Sequence, residues 1–447
     1  MFKKIKNRQS TLLSILVLPV FFSGLFAGIS PCQEDKPADL TLEFWSVYDD
    51  SDVYDNLIRE FNEEYPYIAI NYHKKDYASY EKELVDALAA GRGPDIFSIH
   101  NTWLPKHQDK LAAAPSEIIT PKKFQEIFVD VAVADFVGIE KAADGMEAQA
   151  VYAFPFYIDT LALYYNRDLL NSAGVVKPPA TWLEFNSAVE KITLRDAQNN
   201  ITRVGAALGT AKNINRSTDI LSLLMLQNGT QMVSSDKKYA TFNQPISQSN
   251  GESFNAGENA LSFYANFAKA SKKVYTWNQY QHYSIDAFVE GKVAMMLNYA
   301  YQIPLIKARS PHLNFGVAAV PQISSTGPAV TYANYWGQAV SKTSPNAIYA
   351  WTFLAWLAGK DNAQVYLEKT DRPASRRDLV EWQKSDPGLG LFAEQALTAR
   401  TWYQIDSAAI ETILANMIEN VAQNSESIST ALNRASQQIT LLMTNKD

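Results

Sequence analysis

The side chains best suited to chemistry stand where strands should end. Trp45 ends the alternation LTLEFW at 40–45 and Tyr48 follows it, while Asn101 and Trp103 follow the apolar run Ile96-Phe97-Ser98-Ile99. Flat aromatic faces with an amide at the edge suit recognition by stacking and hydrogen bonding more than bond cleavage. The histidines, His73, His100, His107, His282 and His312, show no H-E-x-x-H spacing. Neither a G-x-S-x-G elbow nor a P-loop occurs. No catalytic residue, metal or cofactor is therefore expected. Asp and Glu are plentiful, so composition leaves a paired-carboxylate enzyme open.

The elements that must position these residues are legible. Leu40, Leu42 and Phe44 alternate with Thr41, Glu43 and Trp45, as in a strand. Tyr54, Leu57, Ile58 and Phe61 lie at helical spacing, and Tyr65-Pro66 ends that helix. A second strand runs from Ile68 to Tyr72. Tyr80, Leu84, Ala87 and Leu88 mark a second helix, closed by Gly91 and the turn Gly93-Pro94. Asp95 reads as a turn residue opening the third strand. The β-α-β-α-β alternation predicts a parallel α/β sheet with right-handed crossovers. In such sheets ligands bind at the carboxyl ends of the strands, which places Trp45, Tyr48, Asn101 and Trp103 on one crevice.

With these segments in order, the chain resembles the bacterial extracellular solute-binding proteins of family 1. These are the sugar receptors of ABC importers, maltose-binding-protein-like. The resemblance rests on LTLEFWSVYDD, LIREFNEEYPYIAI, LAAGRGPDIFSIHNTW, AFPFYIDTLALYYNRDLLNSAGV with PPATWLEF, DAFVEGKVAMMLNYAYQ, FGVAAVP and YWGQAVSKTSPNAIYAWTFLAWLAG. It implies two Rossmann-like lobes joined by a three-segment hinge, the periplasmic binding protein type II fold, with the solute held between them. The crossings fall at PFYIDT (155–160), ANYWGQ (333–338) and TDRPASRRD (370–378). They divide the chain into 38–157 plus 338–371 as lobe I and 158–337 plus 372–447 as lobe II. The polar stretches 205–219 and 234–259 are expected on the surface of lobe II.

A sugar offers hydroxyls and flat C–H faces, so its site needs aromatic platforms with polar edges. The resemblance adds Tyr157 and Asp159 from the first hinge segment, and Asn298, Tyr299 and Tyr301 after the apolar run VAMML. Trp336 comes from the second hinge segment, with Tyr335 and Gln338 beside it. Arg376 comes from the third, and Trp402 precedes the C-terminal helices. Each has a plainer reading. Trp45, Tyr48, Tyr301, Tyr335 and Trp402 could equally be packing, Asp159 a turn cap, and Arg376 a partner of Asp378 or Asp371. Trp351 and Trp356 fall in helix phase and read as packing.

The bulk properties agree with an exported globular receptor. The 447 residues are 47% hydrophobic and 19% charged, with ample core for more than one domain. The net charge is −7, and Lys3, Lys4, Lys6 and Arg8 meet no acid before Cys32, so the remainder is more acidic still. Such a chain is a poor nucleic-acid binder. Residues 1–31 read as a signal peptide or membrane anchor: a basic start, then an apolar run from Thr11 to Ile29. Cys32, the one cysteine, stands where a bacterial lipoprotein is lipidated, although Pro31 before it departs from that pattern. An uncleaved helix is the alternative anchor. The expectation is a monomeric extracytoplasmic receptor, held to the membrane, that passes a carbohydrate to ABC permease subunits. The alternatives are a secreted carbohydrate-active enzyme, or a sensor-coupled receptor for a solute such as glycerophosphate.

Overall fold

The computed structural model describes residues 39–141, 145–247 and 252–444; the expected signal or anchor segment and Cys32 lie outside the described residues. Strand β1 (Leu40–Ser46) buries Leu42 and Phe44 on its inner face. Helix α1 (Ser51–Glu64) buries Tyr54, Leu57 and Phe61. It ends at Tyr65, whose N–H donates to the Phe61 carbonyl at 2.8 Å. Strand β2 (Ile68–Lys74), helix α2 (Tyr77–Ala89) and strand β3 (Ile96–His100) complete the expected alternation. Both β2 and β3 pair parallel to β1. Gly91 takes the left-handed conformation, φ +65°, that closes α2. Asp95 holds the entry to β3: its carboxylate accepts the Glu43 N–H at 2.9 Å and the Ser344 hydroxyl.

The first sheet runs β2, β1, β3, then the strand Trp336–Ser341, then Leu111–Ala112. Trp336–Ser341 lies antiparallel to β3, with Trp336 opposite His100. A chain returning from the far half of the molecule thus enters this sheet at the carboxyl end of β3. Gly337 permits that entry, because a Cβ there would stand 2.6 Å from the Phe136 ring.

The second sheet runs Phe315–Ala318, Ala162–Asn166, Val293–Asn298, Ile201–Ala206, Leu194–Arg195. Val293–Asn298 is buried along its whole length, as a continuous apolar strand covered on both faces should be. Helix Trp182–Ile192 begins with a capping box: the Thr181 hydroxyl accepts the Glu184 N–H, and the Glu184 carboxylate accepts the Thr181 N–H.

The protein is α/β with two sheet-centred lobes. One core gathers residues between Leu42 and Ile158 and between Ala333 and Ala399. The other gathers residues from Leu161 to Tyr332 with the helices Ser407–Ala422 and Ile428–Thr444. Core membership changes between Ile158 and Leu161 and again between Tyr332 and Ala333; after Val380 it alternates, with Phe392 in the second core and Ala393, Ala396 and Ala399 in the first, before the chain settles in the second core at Trp402. The connecting strands bond to one another: Thr160 bridges Ala333, and Thr331–Tyr332 pairs parallel with Ala399–Arg400.

Two expectations need correction here. The segment 370–378 does not leave the first core. Ala374, Leu379 and Val380 pack in it, and the Ser375 hydroxyl donates to the Pro155 carbonyl at 2.7 Å. Its polar, proline-containing sequence marks a loop but not the loop's destination. The stretch 205–219 is not superficial either. Ala207, Leu208, Ala211 and Ile214 are buried, and the Glu419 carboxylate accepts the N–H groups of Ala211 and Lys212 at 2.8 and 2.7 Å. Among the described residues, no helix is long and apolar enough to cross a membrane.

Candidate functional site

Because β1 and β3 are parallel, their carboxyl ends share one edge of the first sheet, and the antiparallel start at Trp336 lies on that edge too. The Trp336 indole packs against the rings of Tyr48, Tyr77, Tyr80, His100 and Trp103, with centroids 5.0–6.1 Å away. Tyr48 and Tyr77 stack on each other at 5.7 Å and stay exposed, at 43% and 59%. From the second sheet, Tyr301 stacks on Tyr299 at 6.2 Å and is 40% exposed. The Arg216 guanidinium lies over both rings, at 5.5 and 5.9 Å, and donates to the Tyr301 hydroxyl at 3.3 Å. Arg216 takes a left-handed backbone, φ 61°, just before helix Ser217–Gln227.

These walls enclose a cleft of about 300 Å³, lined by Tyr48, Tyr157, Asp159, Arg216, Tyr301 and Trp336 together with Asn334, Asp371 and Arg372. A recess of about 130 Å³ shares Arg216, Asn334 and Trp336 with it, so the two are continuous. The recess adds Tyr77, His100, Asn101, Trp103, Asp219 and Gln404. Both cores contribute, and the connecting strands supply Tyr157, Asp159 and Asn334.

The charges in the cleft are held by specific partners. Arg372 lies 4.2 Å from the Tyr157 ring and pairs with Asp49 at 2.7 Å. Asp49 is buried and also accepts the hydroxyls of Tyr54 and Tyr366, at 3.0 and 2.9 Å. The pair presents oriented donors without net charge. Burial pushes the Tyr157 phenol up to about 12. The Asp159 carboxylate accepts the N–H groups of Thr160 and Ala300 at 2.8 Å and of Tyr301 at 3.2 Å. It thereby fixes the turn that carries Tyr301. Burial pushes its carboxyl up to about 7 despite those bonds. Burial also lowers His100 to about 4, which leaves its imidazole neutral at ordinary pH. Among the described residues, no group of three or more His, Cys, Asp or Glu comes together as a metal site. The cleft walls offer aromatic faces, guanidinium forks, amides and hydroxyls, groups suited to holding a polar solute.

Comparison with known proteins agrees with that chemistry. The family model for bacterial extracellular solute-binding proteins matches residues 47–364. The chain belongs to this family. A Brucella abortus protein named as a binding protein is 25% identical to this solute-binding protein over 346 residues, 76% of this chain and 77% of that one. The maltotriose-binding protein of Pyrococcus abyssi is 24% identical over 307 residues, 68% of this chain and 59% of its own. Among solved structures, the sugar-binding protein MalE of Xanthomonas citri superposes with a TM-score of 0.71 at 20% identity, covering 91% of this chain and 98% of that one. A cyclo/maltodextrin-binding protein complexed with maltotetraose gives 0.70 at 19% identity, covering 93% and 100%. At these identities the structural likeness establishes the fold.

Of the residues expected at the site of this solute-binding protein, the structure brings Tyr48, Tyr157, Asp159, Tyr301 and Trp336 to the cleft, and Asn101 and Trp103 to its recess. Asn101 is 2% exposed, and its amide is engaged by Asp135 and the Tyr335 main chain. Trp103 stacks on Tyr80 at 6.1 Å and is 8% exposed, so most of its face is packing.

The others are placed elsewhere. Trp45 lies under the Lys75 ammonium, 4.1 Å from the ring centre. Asn298 and Tyr299 are fully buried; the Asn298 amide donates to Asn215, and the Tyr299 hydroxyl donates to Asp219 at 2.8 Å. Trp402 packs in the second core, with its indole N–H donating to Ser222. Arg376 binds Asp378 and the Ala358 carbonyl.

Sequence reading missed Arg216, Arg372, Tyr77 and Asn334. Arg372 had a faint signal, since it shares TDRPASRRD with Arg376. Arg216 had none, because a polar loop gives no hint that it folds inward.

Proposed function

We propose that this protein is an extracytoplasmic receptor that captures an uncharged carbohydrate between its lobes and delivers it to an ABC permease. One observation carries the reading. A single cleft, walled from both cores, brings the exposed rings of Tyr48, Tyr77 and Tyr301 together with Trp336, Arg216, Arg372 and Asn334. Aromatic faces suit the C–H faces of a sugar ring, and the forks and amides suit its hydroxyls. Both guanidinium groups already have a carboxylate nearby, Asp49 at 2.7 Å and Asp219 at 4.0 Å. That favours a neutral solute over a phosphorylated one such as glycerophosphate. The similarity to the maltotriose-binding protein and to the cyclo/maltodextrin-binding protein supports an oligosaccharide.

In this reading the first lobe is built on 39–158 and 333–399, the second on 161–332 and 402–444, and the three connecting strands are the hinge. The solute leaves chemically unchanged. Anchoring is by lipid at Cys32 or by an uncleaved N-terminal helix, and the receptor acts as a monomer.

Titration calorimetry of the purified protein against maltotriose, maltotetraose, mannotriose and glycerol 3-phosphate tests the proposal. A saturable isotherm with one of the sugars, recovered intact afterwards, is the expected result. Binding of glycerol 3-phosphate alone would overturn the solute class, and cleaved sugar would overturn the receptor.

A further inference from the structure

Asp135, near the end of helix Asp130–Phe136, bonds to the end of β3 and to two of the three strands that connect the cores. Its carboxylate accepts the Asn101 amide at 3.1 Å, the Tyr335 hydroxyl at 2.7 Å and the Thr401 hydroxyl. Asn101 follows β3, Tyr335 lies on the second connecting strand, and Thr401 lies on the third. The contact is reinforced on either side. The Asn101 N–H donates to the Tyr335 carbonyl at 3.0 Å, and the Phe136 ring packs edge-on against Tyr335 at 5.6 Å. Asp135 itself lines neither the cleft nor its recess.

A carboxylate bonded to two hydroxyls and an amide gains no ion-pair attraction to offset its desolvation. Its use is geometric, because one acceptor group fixes three donors from three separate segments. Two of those segments hold the cleft wall. Tyr335 stands between Asn334 and Trp336, and Asn101 stands one residue from Thr102 and two from Trp103 in the recess.

We infer that Asp135 is a positioning residue: it ties the second and third connecting strands to the end of β3, so that Asn334, Trp336 and the recess keep one arrangement relative to the first core. The inference rests on the cleft being the solute site, but its test needs no solute.

Hydrogen exchange of the full chain without added sugar, followed by mass spectrometry, reads it directly. In Asp135→Ala, amides of 333–336 and 399–402 should exchange about tenfold faster, with β1 and β2 within about twofold of wild type. Thr401→Val and Tyr335→Phe each delete one donor and leave the carboxylate, which keeps the test alive if Asp135→Ala does not fold. Thr401→Val should accelerate 399–402 and spare 333–336, and Tyr335→Phe should do the reverse. Unchanged exchange on both strands, or equal acceleration throughout the chain, would overturn the inference. Failure of the wild type to bind any sugar would count against the cleft reading alone, since the exchange pattern judges Asp135 independently.

Discussion

Trp336 is only 6% exposed, yet it lines both the cleft and its recess and meets the rings around it edge-on. Trp336→Ala should weaken solute binding by about 1–3 kcal/mol, the range of an aromatic hot spot, and should also cost folding stability, because five rings pack against the indole. Trp103→Ala should behave differently. Its indole stacks on buried Tyr80, so the main loss should be folding stability, about 3–5 kcal/mol. Calorimetry with the bound sugar and thermal unfolding without it separate the two; equal behaviour would contradict the packing roles assigned here.

Asp159 adds a pH signature. Burial raises its carboxyl from 3.8 to about 7, so the native state holds this proton more tightly than the unfolded chain. The stability it contributes is complete below about pH 4 and is lost as pH rises through about 7. The stability difference between wild type and Asp159→Asn should therefore fall with pH across that window and flatten beyond it, as measured by denaturant titration. At this scale the residue types were legible in the sequence, but partners were not. Nothing local separates Tyr301, exposed in the cleft, from Tyr299, which is bonded to Asp219 in the core.

Elements were more legible, because periodicity and caps are local. The strand 40–46, the helices that follow and the turn at Gly91 stand where their spacing put them. Trp351 and Trp356 pack as helix phase required: Trp351 meets Phe154 at 5.4 Å, and Trp356 meets Phe61 at 5.5 Å. Gly337 is the element-scale weak point. A methyl there would collide with Phe136 and push the strand Trp336–Ser341 off β3. Gly337→Ala should cost about 1–3 kcal/mol of stability and lower sugar affinity as well, because Trp336 is the next residue. Thermal unfolding and calorimetry on the same sample check both; full stability would mean that Phe136 swings aside freely.

For the whole molecule, the proposed hinge makes closure around the solute an expected outcome. A ligand favours closure only if it binds the closed arrangement more tightly, and this cleft draws walls from both cores. Small-angle scattering should show a smaller radius of gyration when the correct sugar saturates the protein, with slower exchange at 155–160 and 331–336. The third moving segment should be 399–402, while 370–378 stays with the first core, where Ser375 and Ala374 hold it. Protection gained at 370–378 and not at 399–402 would reverse that assignment.

The sequence by itself determined the α/β class, the order of elements around the first sheet and the family, because hydrophobic period, turn chemistry and ordered motifs are written locally. It also marked the strand ends where Tyr48, Trp103 and Trp336 emerge. Only the tertiary structure decided which polar segments turn inward. The loop 205–219 looks solvated in sequence, yet it packs against Glu419 and delivers Arg216 to the cleft. The loop 370–378 looks like a crossing, yet it supplies Arg372 to the cleft and stays on its own side. A polar loop is compatible with water or with a hydrogen-bonded interior, and the partner that decides between them stands hundreds of residues away in the chain.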